Sequence, residues 1–193
     1  MPSTPAPVIL RHRLGDAWVD GADHVDDRNP ARPAEVVARA PLGDAGTADA
    51  ALAAARAALR EWARTPAPAR GEILFRAAAI LMERAEAIGT ELSREEGKTL
   101  AEGIGETRRA AAILRYFAGR TLEPIGEVYA SATPGTRIHT LRQPVGVVAA
   151  ISPWNFPIAI PAWKIAPALA PLIRGLTGAP RATIYRVTIY RRA

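Results

Sequence analysis

The sequence predicts an α/β chain, on three observations. Residues 14–43 alternate like short strands, residues 47–118 change to helical spacing, and the apolar run Val145–Ile151 leads through a tight turn into a further helix. With 193 residues, balanced hydropathy and no cysteine, the chain is long enough to bury a core. It carries no disulfide, zinc–thiolate site or thiol nucleophile.

The elements follow in order. "LGDAWVDG" alternates and ends in a glycine turn, and Asn29-Pro30 turns into a strand over 36–40. From Thr47 to Arg64, Leu52, Ala55, Leu59 and Trp62 recur at helical spacing, with Asp44 or Thr47 as N-cap. A second helix begins near Ala69, breaks near Glu83–Glu86 and resumes to Glu96, where Gly97 ends it. The next runs from Leu100 to Ala118, with Ile104, Ala111, Leu114 and Phe117 on its stripe and Gly119 at its close. Two alternating runs around Pro134-Gly135 predict a hairpin. "VGVVAAI" is polar on neither face, as a strand buried in a parallel sheet reads. Pro153–Asn155 then turns the chain into a helix over 156–170, the opening of a βαβ unit.

The charge of +6 belongs to one end. Residues 171–193 hold five arginines and no acid, which leaves 20 basic against 19 acidic residues elsewhere. A nearly neutral body lacks a nucleic-acid footprint. The segment between Arg142 and Arg174 is long and apolar, but Pro144, Pro153, Pro157, Pro161 and Pro167 interrupt it, which excludes a spanning helix. No secretory leader is evident, so a cytoplasmic location is expected, without membrane or nucleic acid as partner.

Strand ends in parallel sheets are where ligands bind. Asn155 at such an end can either cap the following helix or face a cleft and donate to a developing oxyanion. Trp154 and Phe156 flank it as candidate walls. "GIGETR" (103–108) starts like a dinucleotide loop but lacks the third glycine and follows a helix, so it reads as helical surface. "EGK" (96–98) lacks the spacing of a phosphate loop, and His12, His24 and His139 fit no metal site.

The block "QPVGVVAAISPWNFPIAIPAWKIAPALA" closely resembles the NAD(P)-dependent aldehyde dehydrogenase family, and its semialdehyde branch most. So do "GDAWVDG", "NPARPAEVVARAP", "ADAALAAARAALREWA" and "EEGKTLAEGIGET", in order over 14–170. The resemblance implies part of a Rossmann-like cofactor domain with helices, a hairpin arm and an incomplete parallel sheet, and it implies NAD or NADP with an aldehyde substrate. It implies Asn155 as oxyanion donor, with Lys164 in a supporting role. Ile151, Ser152, Pro153 and Trp154 become the nicotinamide-side cleft, Phe156 and Trp163 walls of the aldehyde tunnel, and 126–144 the arm that pairs subunits.

The family's cysteine nucleophile has no counterpart here, because the chain has no cysteine. The division expected is a flexible N-terminus (1–13), a partial cofactor-binding domain (14–170) and a divergent basic tail (171–193). The tail repeats "TIYR", either as a strand pairing with 145–151 or as coding text read out of frame. The second is favoured, since the family text stops within a motif. A truncated family member, unable to turn over aldehyde alone and prone to associate through its unpaired strand, is therefore expected. The alternative is a non-catalytic protein that pairs with intact subunits through the arm.

Overall fold

The computed structural model describes residues 6–140 and 146–170. Five strands come first: β1 (Val8–Ile9), β2 (His12–Leu14), β3 (Ala17–Val19), β4 (His24–Arg28) and β5 (Val36–Pro41). β5 lies between β1, its parallel partner, and β4, its antiparallel partner, with an irregularity at Asp27/Arg28. β2 and β3 form a separate hairpin. Residues 8–13, expected to be flexible, thus carry β1 and the start of β2.

Four helices follow: α1 (Ala45–Arg64), α2 (Ala67–Glu83), α3 (Ala85–Glu96) and α4 (Leu100–Arg120). Asp44 caps α1, accepting from the Thr47 N–H at 2.7 Å while Thr47 Oγ1 faces the Asp44 N–H, a reciprocal box. The buried stripe of α1 is Ala51 and Ala55, one position from the predicted Leu52, which is exposed. The expected break between the second and third helices falls at Arg84. Gly97 ends α3 at φ 82°, and a Cβ there would lie 2.5 Å from Pro30 Cγ. Thr99 and Glu102 build a second capping box at the start of α4.

β6 (Val128–Tyr129) and β7 (Ile138–His139) form the predicted hairpin, antiparallel, with Gly135 at φ 77°. Residues 141–144 of the expected arm, Val145 and the 171–193 tail lie outside the described residues.

Two expectations fail at the carboxyl end. Residues 146–151 form no strand, because a strand exists by pairing and no described strand lies beside them. The last helix, α5 (Ala159–Leu169), starts three residues later than expected: the turn after Trp154 continues through Ile158.

The core lies where α4 meets α2 and α5, through Leu74 and Ala78, Ala110, Ala111, Leu114 and Ala118, and Ala159, Ala162 and Ala166. Alanine at most of these positions lets the helix axes approach closely. α3 meets α4 through glycine: a Cβ on Gly89 would lie 2.6 Å from the Ile104 backbone nitrogen. The small sheet is tied to α3 by buried Glu35, whose Oε1 accepts from Arg94 Nε at 3.0 Å and Nη2 at 2.6 Å, while Oε2 accepts from Asn29 Nδ2 at 3.0 Å. Hydrogen bonds from Arg94 first and Asn29 second hold that carboxyl below its usual range.

Two predictions follow from this packing. G89A drives a methyl against backbone and should lower stability by about 1–3 kcal/mol in urea unfolding. G105A meets nothing within 4 Å and should raise it by about 0.5–1 kcal/mol; equal midpoints for the two variants would refute the close α3–α4 contact. The second concerns Asp27, whose pKa is pushed up to about 6 by burial and then by the Glu95 charge. The folded chain keeps a proton there that the unfolded chain releases near 3.8, so this group makes stability fall as pH rises between those values. D27N should therefore gain on the parent between about pH 4 and pH 7, and an unchanged difference in melting temperature across that range would argue against it.

Candidate active site

α5 begins without a cap of its own. Its N-cap is Ile158, whose side chain cannot accept a hydrogen bond, and Asn155 does not serve instead. The first-turn donors are satisfied from elsewhere in the chain. Glu106 Oε1, on α4, accepts from the Ile158 N–H at 2.8 Å and the Ala159 N–H at 3.0 Å. Ile160 N–H donates to Phe156 O at 3.1 Å, and Pro161 has no donor. Every N–H from Ile158 through the first turn is accounted for.

The other oxygen of Glu106 accepts from Lys98 Nζ at 2.5 Å. Lys98 also lies 2.8 Å from Glu96 Oε2, contacts the Asn155 carbonyl at 3.4 Å and sits 4.9 Å from the centre of the Phe156 ring. All three charged side chains are largely buried, Glu106 most of all, at 2 % exposure. Burial pulls the Lys98 ammonium down, but the carboxylates of Glu106 and Glu96 outweigh it and its pKa stands above the ordinary lysine value. Burial raises Glu96 against the pull of Lys98.

These residues wall a groove of about 440 Å³ between α4 and the 155–156 turn, completed by Glu102, Gly105 and Arg109. Asn155 lines it, is exposed, and makes no side-chain hydrogen bond to another described residue. Arg109 lies with its guanidinium carbon 5.7 Å from the Trp163 ring centre.

Of the residues singled out in the sequence, the structure brings Asn155 and Phe156 into the groove, with Trp163 at its edge under Arg109. Lys164 is exposed on α5 and lines no part of it. Ile151 and Trp154 are 65 % and 66 % exposed, Pro153 is exposed and Ser152 half-buried, all outside the groove. A glycine-rich phosphate turn between strand and helix is absent among the described residues. None of them forms a metal-binding cluster, and no described helix is long and apolar enough to cross a membrane.

Sequence reasoning missed Lys98, Glu106 and Arg109. "GIGETR" is helical, but Gly103, Glu106 and Thr107 are buried rather than surface. The available signal was a carboxylate on a stripe of small residues, Gly103, Thr107 and Ala110, since a charge on a buried face demands partners.

Among the described residues the Asn155 side-chain amide has no partner, and an amide so placed can donate to a carbonyl oxygen. Sequence comparison places it more narrowly. The pattern of the Aldehyde dehydrogenase family matches residues 18–171, and the chain belongs to that family. It is 46% identical over 162 residues to the alpha-ketoglutarate semialdehyde dehydrogenase of Haloferax volcanii, covering 83% of this chain and 34% of that one. It is 40% identical over 158 residues to the 2,5-dioxopentanoate dehydrogenase of Saccharolobus solfataricus, covering 81% and 33%. The solved NAD-dependent benzaldehyde dehydrogenase of Corynebacterium glutamicum superposes with a TM-score of 0.76 at 36% identity, covering 83% and 34%. The chain thus spans about a third of the length of the curated relatives it matches.

Proposed function

We propose that the chain supplies the oxyanion side of a site that oxidises a semialdehyde to a carboxylic acid with NAD(P)+. The observation that carries this is Asn155, its side-chain amide without a partner among the described residues, lining a groove inside the segment matched to the family. When a thiolate adds to an aldehyde carbon, the carbonyl oxygen gains negative charge, and the Asn155 amide donates to it. Phe156 walls the groove beside that oxygen. Ile151 and Trp154 offer the surface against which a nicotinamide would lie to accept hydride. The sequence contains no cysteine, so the thiolate must come from residues other than these 193.

Arg109 refines the substrate class. Among the groove's charged groups, Glu106 is bound to α5 and Lys98, Glu96 to Lys98, and Glu102 to Thr99. The Arg109 guanidinium makes no hydrogen bond or ion pair to another described residue. Stacking on Trp163 leaves its N–H edge for a carboxylate. Alpha-ketoglutarate semialdehyde and 2,5-dioxopentanoate, named for the two relatives, are the same compound, which carries a carboxylate at the end opposite the aldehyde. A further reading concerns the hairpin, where cross-strand partners Tyr129 and Ile138 are exposed on one face and Val128, 82 % exposed, on the other, apolar groups suited to pairing subunits.

The test is a hybrid in which residues 18–170 of this chain replace the matching segment of the Haloferax relative. The 193-residue chain alone should form no NAD(P)H from a semialdehyde; turnover would refute the missing-thiol argument. In the hybrid, N155A should lower kcat on the order of 10²–10³-fold. R109A should raise KM for a carboxylate-bearing semialdehyde roughly 10- to 100-fold while leaving a neutral aldehyde unaffected. Full activity in N155A would remove the oxyanion role, and equal effects on both aldehydes would remove the carboxylate role of Arg109.

A further inference from the structure

We infer that Glu106 and Lys98 are positioning residues for Asn155: together they set the backbone of the 155–158 turn from the side of α4. The inference rests on the reading of Asn155 as oxyanion donor. Three observations converge on it. Glu106 has a buried side chain and spends one oxygen on two N–H groups 52 and 53 residues away. Its other oxygen holds Lys98 at 2.5 Å. Lys98 in turn reaches the carbonyl of Asn155 itself and the ring of Phe156. The turn is therefore gripped at both ends, at the Asn155 carbonyl and at the Ile158 and Ala159 amides, by two side chains bonded to each other.

The grip matters because, among the described residues, no side chain of the turn itself supplies a hydrogen bond, and only backbone bonds such as Ile160 N–H to Phe156 O add to it. Ile158 gives α5 no side-chain cap, and Asn155 makes no side-chain bond to a described residue. An amide donor stabilises a developing charge only where it is already placed, so its backbone must be fixed before the ligand arrives. A carboxylate does this better than a neutral cap, since it accepts from two donors at once and complements the positive end of the helix. Lys98 compensates the Glu106 charge, while Glu96 shares the same ammonium. The two residues have separable tasks: Glu106 holds the helix start, and Lys98 the Asn155 end.

Amide hydrogen exchange and side-chain amide NMR on the full 193-residue chain test this. In E106A, exchange at Ile158 and Ala159 should rise roughly 5- to 30-fold, the factor a lost helix cap is worth, and the Asn155 side-chain NH2 signals should move. E106Q keeps an acceptor oxygen, so protection at those two amides should return to within about threefold of the parent. K98M should leave both amides protected yet shift the signals of Asn155 and Phe156. A residue serving overall stability alone would instead raise exchange evenly over α2, α4 and α5, and that result overturns the inference. So do Asn155 signals unmoved in both E106A and K98M. Should E106A fail to fold, E106Q and K98M decide, since Asn155 signals that match the parent in both reject the positioning role. The measurement reads the turn whatever Asn155 does chemically, so an N155A hybrid of full activity would fail the functional reading while leaving this result standing.

Discussion

One carboxylate oxygen of Glu106 accepts two backbone donors at the start of α5, and the arrangement of the site depends on that contact. α5 packs on α4 through alanines, which give close approach but little to fix rotation or sliding. The directional bonds to Glu106 supply what the small side chains cannot. Burying a carboxylate is costly unless it is paired, and Lys98 with the two amides meets that requirement. Removing one member of such a buried pair leaves the other charge uncompensated, so the contact is held by its own energetics as well as by geometry.

The groove follows from the same contact. α4 presents Glu102, Gly105, Glu106 and Arg109 on one face, at spacings of three and four residues. Glu102 and Glu106 are bonded within the protein, whereas Arg109 has no hydrogen bond or ion pair to a described residue. Gly105 keeps the wall thin between them. Asn155 lines the same groove, its side-chain amide without a partner among the described residues.

Much of the helical part was legible because its signals are local. Asp44, the break before Ala85, Gly97 and the Pro134-Gly135 hairpin act within a few residues of themselves, and the structure has each in its expected role. The start of α5 was not legible for the opposite reason. Asn155 is a good cap by composition, but the cap comes from Glu106, about fifty residues earlier, and no local pattern encodes a partner so distant. The apolar run before Ile151 misled differently: its composition describes a strand's surroundings in a sheet, and a strand also needs a neighbour to bond. Asn155 and Phe156 were singled out by their place after the apolar run, and the resemblance gave them roles, whereas Lys98 and Arg109 emerged only when α4 was seen against the turn.

The borrowed cap also orders assembly. α5 has 11 residues, a length at which an isolated helix is marginal in water, and its interior Pro167 removes a further bond. It forms by docking onto α4 rather than on its own. On a chain made from its amino end, α4 and the Lys98–Glu106 pair are synthesised well before Ile158 and Ala159 arrive. The later segment meets a template already charged and placed, and the turn bearing Asn155 takes its shape in the act of docking.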